Sequence, residues 1–254
     1  MTKYLKDLQE KKVFTLADVE KLTNNKNTAK SILQSYKKMG YIKSVRQDLY
    51  VALDLALSTT IASRYEIAAG TSDTSYVSHH SALEYYGLAN QVFFQVTISS
   101  QEHLRDFVYE GITYKCRQSN DFEGVTIPQT TSPIRVTDLE RTVIDCIADI
   151  DLAGGLEEVL ESIQLIPKLD EKKLLDYMKR YNKKILWQYA GFILEQYKET
   201  INLSDKFFTE CKKNMGVRKN YLGNGWNMKY YSEWKLYAPN NLLSILGEGI
   251  DVIV

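Results

Sequence analysis

NTAKSILQSYKKMGYIKSVRQDLYVAL, residues 27–53, is written in two periods. In its first half Ala29, Ile32, Leu33 and Tyr36 recur at i, i+3, i+4 and i+7, the spacing of one buried stripe on a helix. Asn27 is placed to cap that helix, and Gly40 suits the left-handed residue that closes it. Two short β-prone runs come next, YIKSV and LYVAL, joined by the polar turn Arg46-Gln47-Asp48. Away from the stripe lie Thr28, Lys30, Ser31, Gln34, Ser35, Lys37 and Lys38. Hydroxyls and amides suit base edges and lysines suit phosphates, so this face has the composition of a DNA recognition helix. A solvated surface helix draws on the same residue types.

Working outward, Lys3 to Glu10 reads as a short helix burying Tyr4, Leu5 and Leu8. Thr15 offers a cap for LADVEKL, in which Leu16, Val19 and Leu22 fall at helical spacing. Three short helices and a hairpin describe a winged helix-turn-helix over residues 1–55, with Lys43 and Arg46 as further cations on the wing. Its expected ligand is double-stranded DNA.

The chain has 254 residues, enough for two domains, and its 44% hydrophobic and 25% charged residues are those of a globular protein. No run of about 18 apolar residues predicts a membrane span. The first residues, MTKYLKDLQEKK, lack the apolar core of a secretory signal. Three widely spaced cysteines, Cys116, Cys146 and Cys211, form neither a disulfide framework nor a zinc pattern, which suits a reducing cytoplasm. A net charge of zero conceals segregation: +6 over residues 1–52, −11 over 53–166, +7 over 167–235 and −2 beyond. Two basic regions could therefore face phosphate.

Residues 56–254 read as a mixed α+β domain. Apolar Leu53, Leu57, Ile61 and Ala68 suggest a helix over 53–70, and Ser78 is placed to cap HHSALEYYGL, closed by Gly87. VFFQVTISS, GITYKCRQ, GVTIPQ and PIRVT predict a small, mainly antiparallel sheet. Helices are expected at 138–150, 155–164, 170–182, 185–200 and around 204–215, then a hairpin at Asn224-Gly225 and an apolar tail, LLSILGEGIDVIV.

Candidate chemistry is sparse. In RVTDLERTVIDCI (135–147), Thr137 and Glu140 fit a capping box, Asp138 suits the helix dipole, and Leu139, Val143, Ile144 and Ile147 make a buried stripe. Arg141 and Asp145 form an i,i+4 pair, worth about 0.3 kcal/mol if exposed. Every charge has a structural task, and no nucleophile with an adjacent base emerges. His79, His80 and His103 lack partners at metal-ligand spacing. Asp170-Glu171-Lys172 matches the end of a nuclease motif, but Asp170 reads as a helix cap. Gly223-Asn224-Gly225 reads as a turn rather than a phosphate loop. In VRKNYLGNGWNMKYYSEWKLY, Arg218, Lys219, Lys229 and Lys235 interleave with Tyr221, Trp226, Tyr230, Tyr231 and Trp234. That pattern fits stacking on nucleic acid, or, as the preferred reading, a hairpin with aromatics in the core and lysines outside. No catalytic residue, metal or cofactor is expected. Within the +7 block, Lys183, Lys184, Arg218 and Lys219 are the expected exposed contacts to nucleic acid or to an acidic partner.

TSPIRVTDLERTVIDCI (131–147), behind YVSHHSALEYYGL (76–88) and ahead of WNMKYYSEWKL (226–236), resembles the AbiEi family, antitoxins of the AbiE type IV toxin–antitoxin systems of phage abortive infection. The resemblance implies a cytoplasmic autorepressor whose winged helix binds inverted repeats in its own promoter. It further implies a C-terminal antitoxin domain that counteracts a nucleotidyltransferase-like toxin without a stable complex. Two alternatives stand beside it: a winged-helix repressor that senses a small molecule, and a nuclease built on the second domain.

Overall fold

The computed structural model describes residues 3–129, 133–223 and 228–247 as a mixed α+β protein. The chain forms two compact units, Met1–Val77 with Phe93–Val136, and Ser78–Val92 with Thr137–Val254. The division therefore differs from one at residues 55 and 56.

The first unit begins with α1 (Leu5–Lys11), β1 (Val13–Phe14), α2 (Leu16–Thr23), α3 (Lys26–Lys38), β2 (Ile42–Arg46) and β3 (Leu49–Ala52). Thr15 and Asp18 form a reciprocal capping box at the start of α2. Burial raises the Asp18 pKa, but the bonds from Lys11 and from the Thr15 N–H and hydroxyl outweigh it and hold the carboxyl below its usual value. The cap of α3 is Asn25, whose Oδ1 accepts the Thr28 N–H at 2.9 Å, and not Asn27. Asn24 ends α2 in the left-handed region, so the extended Asn25 is the first residue able to turn its side chain onto the next helix. Leu5, Leu8, Phe14, Val19, Ala29, Leu33, Tyr36, Ile42 and Ala52 form a core of their own. β1, β3 and β2 lie side by side in that order, antiparallel throughout.

Residues 53–63 are not helical. Asp54 Oδ1 accepts the N–H groups of both Ala56 and Leu57, Ser58 takes φ +54°, and Leu57 is 72% exposed. A carboxylate that satisfies the next backbone donors offers the chain a turn instead of a helix. Helix α4 (Arg64–Ala69) starts only after a second capping box, Ser63 with Glu66. The unit's larger sheet holds β4 (Tyr76–Val77), β5 (Gln95–Ser100), β6 (Phe107–Tyr109), β7 (Ile112–Gln118), β8 (Val125–Thr126) and β9 (Val136–Thr137) in the order β6-β7-β5-β4-β9-β8. It is mixed rather than mainly antiparallel, since β5–β7 and β4–β9 run parallel. The cause is the tight β6–β7 hairpin at Glu110 (φ +46°) and Gly111 (φ +79°), which returns β7 alongside β5 in the same sense. Arg135 ties the strands to α4: its guanidinium donates to the carbonyls of Ala69, Ser72 and Ser75 at 2.8 Å and also to that of Asp73.

The second unit contains α5 (His80–Tyr85), α6 (Leu139–Ala148), α7 (Leu156–Gln164), α8 (Glu171–Tyr181), α9 (Lys184–Glu195), α10 (Asp205–Asn214), β10 (Asn220–Tyr221), β11 (Met228–Tyr231) and β12 (Leu236–Pro239), with a 3₁₀ segment at Leu242–Gly247. The expected Asn224-Gly225 turn, Trp226 and residues 248–254 lie outside the described residues. α9 is buried along most of its length and forms the centre of the core. A Cβ on Gly191 would lie 2.1 Å from Trp234 Cζ3, so only glycine lets this indole approach.

Ser78 does not cap α5; its Oγ pairs with His79 Nδ1 at 2.9 Å, and His79 itself begins the helix at φ +54°. The cap of α6 is Asp138, not Thr137, whose hydroxyl is used by Thr142 at 2.7 Å. Glu140 completes no box: it accepts the Asp170 N–H at 3.0 Å. Arg141 and Asp145 pair at 2.6 Å with only 5% and 1% exposure, rather than on the surface. The Tyr181 hydroxyl donates to Asp145 at 2.5 Å, and the guanidinium lies 5.8 and 5.7 Å from the rings of Tyr177 and Tyr181. The i,i+4 tyrosines of α8 thus cover the pair, and the RVTDLERTVID stretch joins α6 to α8. Removing one member of such a pair strands a buried charge at a cost of about 3–5 kcal/mol. Asp145→Ala should lower the unfolding free energy by about that much in urea titration. A loss near the 0.3 kcal/mol of an exposed pair would contradict the clamp.

Candidate nucleic-acid interface

The buried stripe of α3 fixes what its other side presents. Ala29, Leu33 and Tyr36 are buried, and Thr28, Lys30, Ser31, Gln34, Lys37 and Lys38 are exposed, with Ser35 half-buried. The Ser31 hydroxyl donates to the Asn27 carbonyl at 3.0 Å. Lys30, Lys37 and Lys38 have no ion pair among the described residues, so their charges face solvent. The earlier start of the helix adds Lys26, which sequence reading missed; Asn25 as an alternative cap was the available signal. The first turn of α3 holds no acidic residue, so the positive end of the helix dipole and Lys26 reinforce each other.

The two hairpin cations are placed differently. Lys43 Nζ lies 3.0 Å from Glu110 Oε1, and the half-buried Arg46 guanidinium lies 5.2 Å from the Phe107 ring centre. Both therefore have contacts on the β6–β7 hairpin. Burial raises the Glu110 pKa, but Lys43, Thr60 and Tyr109 outweigh it and keep the carboxyl below 4.5.

The other four candidates also divide. Lys183, Lys184, Arg218 and Lys219 are all exposed. A Cβ on Gly216 would sit 3.4 Å from Lys184 Cβ, and Gln188 of α9 donates to the Arg218 carbonyl at 3.0 Å, which brings Lys184 and Arg218 to one end of α9. Lys219 is instead drawn over the Tyr230 ring, 4.8 Å from its centre.

The remaining polar clusters have structural partners. His80 Nε2 meets Glu158 Oε1 at 2.9 Å in a nearly inaccessible contact, and the same oxygen accepts the N–H groups of Asn90 and Gln91. His103 is exposed, and no group of three His, Cys, Asp or Glu among the described residues could hold a metal. Asp170 caps α8, away from any strand pair. Burial pushes the thiols of Cys116 and Cys211 up to about 11 and about 12, and that of Cys146 well up, so none is an activated nucleophile. A cleft of about 450 Å³ in the first unit is lined by residues of both signs, among them Asp18, Arg46, Asp48 and Arg135. Among the described residues no helix is long and apolar enough to cross a membrane.

No protein-family model matches the chain, and no curated protein does. Among solved structures it is similar to the crystal structure of the RV2827C protein from Mycobacterium tuberculosis, with a TM-score of 0.67 at 11% identity over 97% of this chain and 93% of that one. At that identity the likeness is one of fold.

If the hairpin meets a duplex, the Glu110 carboxylate would compete with phosphate for Lys43. Because its pKa is depressed, the pair is intact above 4.5 and is lost as pH falls through the lower folded value. Glu110→Gln should free the lysine at neutral pH, tightening binding to duplex DNA and steepening its salt dependence by about one charge. Unchanged salt dependence in a fluorescence-anisotropy titration would show that Lys43 meets no phosphate.

Proposed function

We propose that the chain is a DNA-binding autorepressor whose first 55 residues act as a winged helix, with α3 entering the major groove and the β2–β3 hairpin as the wing. The observation that supports this reading best is the exposed face of α3. It combines Lys30, Lys37 and Lys38, whose charges face solvent, with Ser31 and Gln34, opposite a fully packed stripe. Lysines at that spacing would neutralise phosphates while the amide and hydroxyl reach base edges.

In the same proposal, the chain is the antitoxin of a nucleotidyltransferase-like toxin and acts without forming a stable complex. Support for this half comes from the three segments that resemble the AbiEi family, and the exposed Lys183, Lys184, Arg218 and Lys219 are the surface assigned to it. A second reading, a repressor that senses a small molecule, draws on the cleft lined by Arg46 and Arg135 beside the hairpin.

The test uses the full chain. The triple variant Lys30→Ala, Lys37→Ala, Lys38→Ala should weaken retardation of its own promoter fragment on all sequences and lower the salt slope by about three. Gln34→Ala should instead alter preference among sequences. Reversing the four charges of the second group should leave DNA binding intact and impair rescue of cells from the toxin encoded alongside. Wild-type retardation by the triple variant would overturn the DNA assignment, and full rescue by the charge-reversed chain would overturn the antitoxin surface.

A further inference from the structure

The small sheet of the second unit has two unlike faces. Successive residues of a strand point to opposite sides, so Leu222, Leu236 and Ala238 turn inward, and all three are fully buried in the unit's core. Their neighbours Tyr221 and Tyr237 turn the other way. The register sets Tyr221 beside Tyr237 and Tyr237 beside Tyr230, one tyrosine on each of β10, β12 and β11. The rings form a continuous row: Tyr221 and Tyr237 stack at 4.6 Å with planes 10° apart, and Tyr237 meets Tyr230 at 4.9 Å.

This placement differs from the preferred sequence reading, which put the aromatics in the core. Trp234 is buried there and Tyr231 packs on Phe192, but the other three tyrosines are not core residues. Tyr221 is 60% exposed on the edge strand β10, and Tyr237 is its only ring partner among the described residues. One face of the Tyr221 ring is therefore left to extend the stack. Stacking among themselves does not require such exposure, and an edge tyrosine left half in water is a cost that a bound partner would remove.

The charge beside the row is basic. Lys219 Nζ sits 4.8 Å from the Tyr230 ring centre, and Arg218 is exposed one residue earlier; Lys229, opposite Ala238 in the register and 5.4 Å from the Tyr231 ring centre, belongs to the other face. Aromatic rings for bases and cations for the intervening phosphates are the two elements of single-strand recognition. Double-stranded DNA offers no free base face to such a row, whereas RNA commonly presents unpaired bases in loops and ends.

We infer that the outer face of the β10-β12-β11 sheet is a binding platform for single-stranded nucleic acid, with a base stacked on Tyr221 and a backbone phosphate on Lys219. The inference goes beyond the operator reading and does not depend on α3.

The probe is an unstructured, labelled RNA of roughly ten nucleotides, titrated against the full chain by fluorescence anisotropy. Tyr221→Ala should weaken binding about tenfold, and Tyr221→Phe should retain it, because the ring rather than the hydroxyl carries the contact. Lys219→Gln should lower the salt slope by about one. Each variant's thermal transition, compared with wild type, separates a lost contact from a lost fold, and the Phe variant keeps the ring in place if the Ala variant unfolds. The α3 triple lysine variant should bind this RNA like wild type even where it has lost duplex binding. The inference is overturned if the wild-type chain does not bind the RNA at low salt, or if Tyr221→Ala binds it unchanged. It is equally overturned if binding disappears with the α3 lysines instead.

Discussion

A helix of 13 residues lying on a small core can bury one side only, and that constraint governs α3. Ala29, Leu33 and Tyr36 are committed to the cluster with Leu8, Phe14 and Val19, so the residues between them are held outward. The same cluster takes Ile42 and Ala52 from the hairpin, and the hairpin register sets Ile42 opposite Ala52. Exposure of the proposed recognition face is therefore set by packing. Rotating α3 would bury lysine and expose Tyr36, a change that a core this small could not absorb.

The second unit solves a different problem, that of packing several short helices around α9. Part of the solution is apolar, as in the approach of Trp234 to Gly191. Another part is ionic. A buried Arg141–Asp145 pair covered by two tyrosines offers less net stability than its short distance suggests, because both groups were taken from water. Its value lies in geometry: once both charges are buried, α6 and α8 have few other ways to satisfy them. The stretch that looks most like chemistry in the sequence is thereby a joint.

Much of this architecture was legible from periodicity and caps. The five helices after residue 137 start within a residue of their expected positions, though α9 ends at Glu195 rather than at 200, because Asp170 and the apolar spacing mark them locally. The misses share a cause, competition between neighbouring side chains of like chemistry. Asn25 rather than Asn27, and Asp138 rather than Thr137, take the cap, because only the extended backbone decides which of several acceptors faces the helix. Asp54 turns residues 53–63 away from a helix that their apolar spacing had suggested. Of the candidate interface, the α3 face could be read in advance. The engagement of Lys43 and Arg46 by the β6–β7 hairpin could not, since Glu110 and Phe107 lie some sixty residues further along the chain. Nor could the outward row of tyrosines, which depends on the parallel register of β10 with β12.

The proposal stands or falls on where the duplex meets the chain. The most direct measurement replaces Gln34 with a photo-reactive residue and maps its cross-links on a duplex carrying the chain's own promoter. Cross-links from position 34 to base atoms within a half-site of an inverted repeat are expected. Cross-links that form instead from a photo-reactive residue at position 219, with none from position 34, would contradict an interface on α3.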